Sequence, residues 1–350
     1  MKQTGTCVFR SAKAPVSPFF SFFDGGTVVA VREAFDRSLD ELPPAIGAQV
    51  SAFWKSRVRR SEGDPMLGEK LPIILGDLFQ VSKDDTVALA IAWLHIYTAI
   101  LIVDDILDED LSIERGAFAI AAPLLVARGA SLFSQNALYP KLIASRIEAS
   151  LRACAAAAVD EPGFYRARGV KLIRQELAMA SRKVSALDIC TEAFARASTL
   201  TKAHLKLKRR EVVKMVDSIK IAFQLLDDIT DLHDDWLRGH HTFPLRGLRP
   251  CEGRSRFDQK PDQFWLDVSG EPNLSKALSI CIDAIERCRL SLKTLGRCNG
   301  AVSGYFDWLY QEVKTAHTQA VTLLELPSHR KDKTEIDIFR RQLIVIAQTT

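Results

Sequence analysis

The sequence predicts one all-α domain, and three observations carry that reading. Apolar residues recur at helical spacing through almost all of residues 27–350, and no segment alternates at the strand period of two. The 47% hydrophobic content is enough to fill a substantial core, and one large helical domain fits the 350 residues. Two acidic clusters, Asp104-Asp105-Ile106-Leu107-Asp108 and Asp227-Asp228-Ile229-Thr230-Asp231, close long apolar stretches with one shared spacing. Chance placement of the chain's 26 aspartates would give well under one such pattern.

The elements follow in order. Residues 1–26 read as a flexible tail. The first 23 residues hold no acids, are rich in Ser and Thr, and carry Lys2, Arg10 and Lys13. That is a weak match to an organellar transit peptide, and a disordered cytosolic tail is the favoured reading. Helices are expected over 27–40, 45–60, 86–108, 116–133, 139–158, 163–182, 186–200, 205–235, 274–295, 301–324 and 334–347. Pro43-Pro44, Pro65, Pro72, Pro123, Pro140 and Pro162 act as punctuation. The 17-residue apolar run Val87–Val103 approaches the lower limit of a membrane span, but it contains His95 and Thr98 and runs straight into acids. A buried core helix is the better reading. Residues 237–273, dense in Gly and Pro, form the main irregular region; a lid over a site is favoured there over a solvated connection. Helices 86–108 and 205–235 would face each other across a central cavity.

A net charge of +4, scattered and without interleaved aromatics, argues against nucleic acid as a partner. Seven cysteines without a C-x-x-C pair indicate reduced, mostly buried thiols and a cytoplasmic setting.

The chemistry sits in the acid clusters. In a helix the first and fifth residues share a face while the second turns about 100° away. Carboxylates held together repel without a cation, so the pattern points to a divalent metal bridging to an anion. Hard oxygen ligands of this kind suit Mg²⁺ shared with phosphate oxygens.

Leu94–Asp110 and Ile221–Asp231 resemble the two aspartate-rich motifs of trans-isoprenyl diphosphate synthases, the second including the preceding Phe223-Gln224. Arg115-Gly116 resembles the R-G that follows the first motif. Lys183, 44 residues before Asp227, stands near the family's diphosphate-binding lysine. Gly239–Pro244 resembles G-K-x-T-x-P with His240 in place of the lysine. The resemblance spans residues 66–250 and implies the isoprenoid synthase fold, with antiparallel helices around an active-site cavity. It also implies an allylic prenyl diphosphate substrate, three Mg²⁺ ions and a homodimer. Asp104, Asp108 and Asp227 are the implied metal ligands, with Asp105, Asp228, Asp231 and Gln224 beside them. Arg115, Lys183 and His240 are implied to contact diphosphate.

The departures concern the second substrate of chain-elongating synthases, isopentenyl diphosphate. Aligning Pro72 with the proline of the basic acceptor motif places Gly68 and Glu69 where cations would stand, and leaves Lys70. Arg57, Arg59 and Arg60 lie upstream as candidates for a gapped alignment. Tyr97 replaces the His or Gln seven residues before the first acid, and Glu114 replaces the first arginine after the motif. Glu69 and Glu114 would repel a second diphosphate. The leading expectation is therefore a class I terpene synthase on a prenyl synthase scaffold, with a chain-elongating prenyltransferase as the alternative and a non-catalytic partner subunit third. Ile96, Ala99 and Ile100, which the resemblance puts at the pocket floor, include no bulky aromatic and admit a sesqui- or diterpene-length tail. His95 and Tyr97 read first as polar core groups, and His233 with Asp234-Asp235 as a solvated helix end.

Overall fold

A computed structural model of the chain describes residues 18–60, 65–107, 115–136, 140–166, 173–240, 242–246, 248, 260–296, 300–326 and 333–347. Every regular element among them is helical. Asp24 caps α1 (Gly25–Leu39), accepting from the Gly26 N–H at 2.9 Å and the Thr27 hydroxyl at 3.1 Å. The 3₁₀ turn before it, Pro18–Ser21, carries Phe19 inward; it stacks on buried Phe23 at 4.4 Å and meets the edge of Tyr305. The expected tail over 1–26 is thus corrected at its end: the packed chain begins by Phe19, while 1–17 lie outside the described residues.

After α2 (Pro44–Arg60) comes a helix the sequence reading missed, α3 (Leu67–Phe79), with Pro72 inside it. Proline in a helix interior removes one i→i−4 bond, here the one that would end on the Gly68 carbonyl. That carbonyl instead accepts from the Trp93 indole N–H at 2.9 Å, so the lost partner is replaced from α4 (Lys83–Leu107). Gly68 is needed for the same approach. A Cβ there would lie 2.2 Å from Cδ1 of Tyr97.

α4 is long and apolar enough to cross a membrane, but it is mostly buried against α1, α3 and α5 (Arg115–Asn136). α6 (Pro140–Arg166) runs past Pro162, and α7 (Ile173–Lys183) and α8 (Leu187–Ala197) follow. The single helix expected over 205–235 is two, α9 (Lys202–Thr230) and α10 (Leu232–Arg238), broken at Asp231. α9 packs along α12 (Pro272–Leu295), which in turn supports α13 (Gly300–Glu325), with α14 (Lys333–Ala347) closing that side. The expected irregular region holds a further helix, α11 (Pro261–Val268). Its described start is packed, with Phe243, Leu245 and Leu248 buried; residues 249–259 lie outside the description. α3 and α8 touch both α4 and α9, spanning the space between the two acid-bearing helices.

His95 faces away from that space. It is fully buried against the Phe35 ring, with Nδ1 2.8 Å from the Ile91 carbonyl. The ring therefore belongs to the core, and burial lowers its pKa from 6.5 to about 4.

Two outcomes follow. Gly68→Ala should cost about 1–3 kcal/mol by overpacking, and Tyr97→Val should recover part of that loss in the double variant, read by chemical denaturation. As pH falls from 6.5 towards 4, the unfolded chain takes up a proton at His95 that the fold refuses, so stability present above pH 6.5 is lost. The loss is of the order of 3 kcal/mol. His95→Gln should flatten that part of the pH–stability curve.

Candidate active site

The site forms where α4 and α9 end. The helical register of α4 buries Ile102 and turns Asp104 outward, while Asp105 is itself buried. Arg57 reaches from α2 and donates to Oδ1 of Asp105, its guanidinium lying 5.5 Å from the centre of the Phe53 ring. On the other side, the Gln224 amide of α9 donates to Oδ1 of Asp228 at 3.0 Å. Asp231 closes that helix, its N–H donating to the Asp227 carbonyl at 3.0 Å. Asp108 and Glu114 fall outside the described residues, as does the side chain of Arg115.

The carboxylates of the second cluster are strongly perturbed. Burial first, then repulsion from Asp231, Asp104 and Asp235, raises Asp227 to about 8 against the pull of Lys183. Asp228 rises to about 7, mainly by burial and with Asp227 and Asp235 adding; Lys183 and Gln224 oppose. Asp231 rises to about 7 by burial and the charges of Asp235, Asp234 and Asp228. Asp227 and Asp231 keep open faces even so. Accessible surface and crowding disagree here, and crowding governs hydration: a carboxylate in a concavity keeps a wet face but loses much of its bulk solvent. Asp104 acts on Asp227 through space, so the ends of the two motifs lie near each other.

The sequence-identified cations divide. Lys183, at the end of α7, acts on both Asp227 and Asp228. His240 turns back to α10, its N–H donating to the Asp235 carbonyl at 2.8 Å and Nδ1 lying 3.7 Å from Oδ1 of Asp235. His233 stands in the first turn of α10 beside exposed Asp234, itself half-buried with its ring 5.0 Å from that of Phe264. Burial lowers its pKa against the pull of Asp234.

Three residues acquire roles that their sequence context hid. Glu69 is buried and receives a two-pronged ion pair from Arg32 of α1, at 2.5 and 3.0 Å, and also accepts from the Met66 N–H at 2.9 Å. The repulsion expected of Glu69 towards an anion is corrected accordingly: its charge is already matched. Tyr97, read as a core group, packs on the core over Gly68 beside Trp93, and the charges of Asp227 and Arg57 act on its phenol. Arg57 is the third. No local pattern marks it, because its partner is 48 residues away.

A cluster of hard oxygen donors that repel one another fits a divalent cation, which supplies the missing positive charge. Among the described residues no three His, Cys, Asp or Glu side chains already converge on a single point.

No family model matches the chain, and no curated protein matches it in sequence. Solved structures do match. A geranylgeranyl pyrophosphate synthetase from the archaeon Geoglobus acetivorans aligns at TM-score 0.62 and 16% identity, over 82% of this chain and 98% of that one. A decaprenyl diphosphate synthase from Rhodobacter capsulatus aligns at 0.63 and 17%, over 82% and 96%. A polyprenyl synthase from Caulobacter crescentus, complexed with calcium and isoprenyl diphosphate, aligns at 0.60 and 19%, over 81% and 96%. The chain therefore has the all-α fold of these synthases, in agreement with the motif resemblance.

The acid cluster should oppose folding. A carboxyl whose folded pKa is raised holds its proton while the unfolded chain releases it, so stability falls as pH rises from about 3.8 to about 8. Asp227→Asn should raise the melting temperature of the metal-free protein, more at pH 8 than at pH 5, as differential scanning calorimetry would show.

Proposed function

We propose that this chain is an enzyme that ionises an allylic prenyl diphosphate. The single observation that carries the reading is a set of mutually repelling carboxylates, Asp227 with Asp104, Asp231 and Asp235, beside Lys183. Asp104, Asp108 and Asp227 would hold Mg²⁺, three ions by the motif resemblance, with Asp105, Asp228 and Asp231 at their side. Bound there, Mg²⁺ would supply positive charge to the departing diphosphate. Lys183, with Arg115 by its motif position, would hold diphosphate oxygens and orient the C–O bond, whereas His240 is turned to Asp235. Gln224 keeps Asp228 turned to the cluster. Below the acids, Tyr97 and the apolar inner face of α4 would receive the prenyl tail and exclude water from the allylic cation.

Chain elongation with isopentenyl diphosphate is the better supported form. The solved structures that share the fold are synthases by title, and the Arg32–Glu69 pair removes one charge objection to a second anion. Cyclisation, the class I terpene synthase reaction, stands second on one observation: the Tyr97 ring occupies the space beside Gly68 where the resemblance would put a lysine.

The deciding assay offers geranyl, farnesyl and geranylgeranyl diphosphates with Mg²⁺, with and without isopentenyl diphosphate. A prenyl diphosphate lengthened only when isopentenyl diphosphate is added is the expected product. A hydrocarbon or alcohol formed without it would put cyclisation first, and no diphosphate release from any substrate would defeat both forms. Asp227→Asn should lower kcat by roughly 10²-fold or more.

A further inference from the structure

Arg57 is the feature that the proposed chemistry leaves unexplained. Its guanidinium donates to Oδ1 of Asp105, a carboxylate inside the first acid cluster, and both side chains are largely shielded, at 24% and 9% exposure. Phe53 covers one side of the guanidinium, and Tyr97, which also feels Asp227, lies within its field. The arginine thus engages a motif aspartate although it comes from α2, outside both aspartate motifs. Glu69, the other carboxylate on this side, is committed to Arg32.

We infer that Arg57 gates the first aspartate cluster, holding Asp105 away from metal until a diphosphate anion draws the guanidinium off it. This inference rests on the prenyl diphosphate reading of the cleft. The physical reason is competition for one carboxylate. A divalent cation that takes Asp105 must displace Arg57, leaving a guanidinium partly desolvated and unpaired, which is costly. A diphosphate relieves that cost, because its oxygens offer the planar donor fork a partner of higher charge than a carboxylate. Arg57 is long enough to turn while α2 stays in place, and its open quarter gives it a path. Metal and anion would then load the first cluster together, so that Asp105 becomes a ligand only when there is a diphosphate to ionise. The coupling is reciprocal: whatever factor the anion adds to metal affinity, the metal adds to anion affinity.

The test uses the full chain and Mn²⁺ as a spectroscopic substitute for Mg²⁺. Free Mn²⁺ is followed by electron paramagnetic resonance in wild type, Arg57→Gln and Arg57→Lys, each with and without inorganic diphosphate. Wild type should bind Mn²⁺ alone weakly and at least ~10-fold more tightly with diphosphate. Arg57→Gln should bind Mn²⁺ alone at least ~5-fold more tightly than wild type and lose most of the enhancement by diphosphate. Arg57→Lys, which keeps the charge but loses the fork, should fall between the two, and it carries the decision if the glutamine variant does not fold. Equal or weaker Mn²⁺ binding by a folded variant overturns the gate while leaving the prenyl diphosphate reading intact. If no form takes Mn²⁺ under either condition, the reading of the cleft falls with it.

Discussion

Repulsion among carboxylates is the constraint around which the molecule is arranged. Asp104 acts on Asp227 from the other motif, and Asp235 raises Asp227, Asp228 and Asp231. Such charges drift apart on flexible segments. Here they are fixed to the ends of α4 and α9, and α3 and α8 hold those helices in register. The buried faces of α4 and α9, with Trp93, Ile96, Phe223 and Leu226 in the core, supply the apolar burial that offsets an unfavourable electrostatic arrangement. A site that destabilises its own fold until it is neutralised is a common signature of function.

The surrounding cations are arranged one by one rather than as a patch. Arg57 matches Asp105, Arg32 matches Glu69, and Arg246 matches Glu176, tying the segment after α10 to α7. Lys183 acts on two members of the second cluster together. The consequence is that Asp105 of the first cluster holds a direct counter-charge, while in the second the pull of Lys183 is outweighed and the carboxyls stay raised. The Tyr97 ring closes over Gly68 beside Trp93.

Much of this was legible before any coordinates. The repeated acid spacing located both acid-bearing helix ends, and the apolar runs before each motif gave α4 and the start of α9, while the break at Asp231 was missed. Gln224 and Lys183 were named from motif position, and the structure brings both to the second cluster. α3 was missed because Pro65 and Pro72 read as breakers; only the indole of Trp93 satisfies the carbonyl that Pro72 leaves without a partner. Glu69 was assigned a repulsive role because its partner, Arg32, lies 37 residues earlier on another helix. α11 was hidden in a segment rich in glycine and proline.

The sequence by itself determined the helical architecture, the two acid-bearing helix ends and the class of ligand that such ends call for. Those properties are local, set by side-chain type and by periods of a few residues. Tertiary structure alone decided which charges are neutralised, which aromatic ring closes over Gly68 and which carboxylate is already occupied. Coulomb forces and close packing act through space, and the partners that settle them here lie 25 to 48 residues apart along the chain.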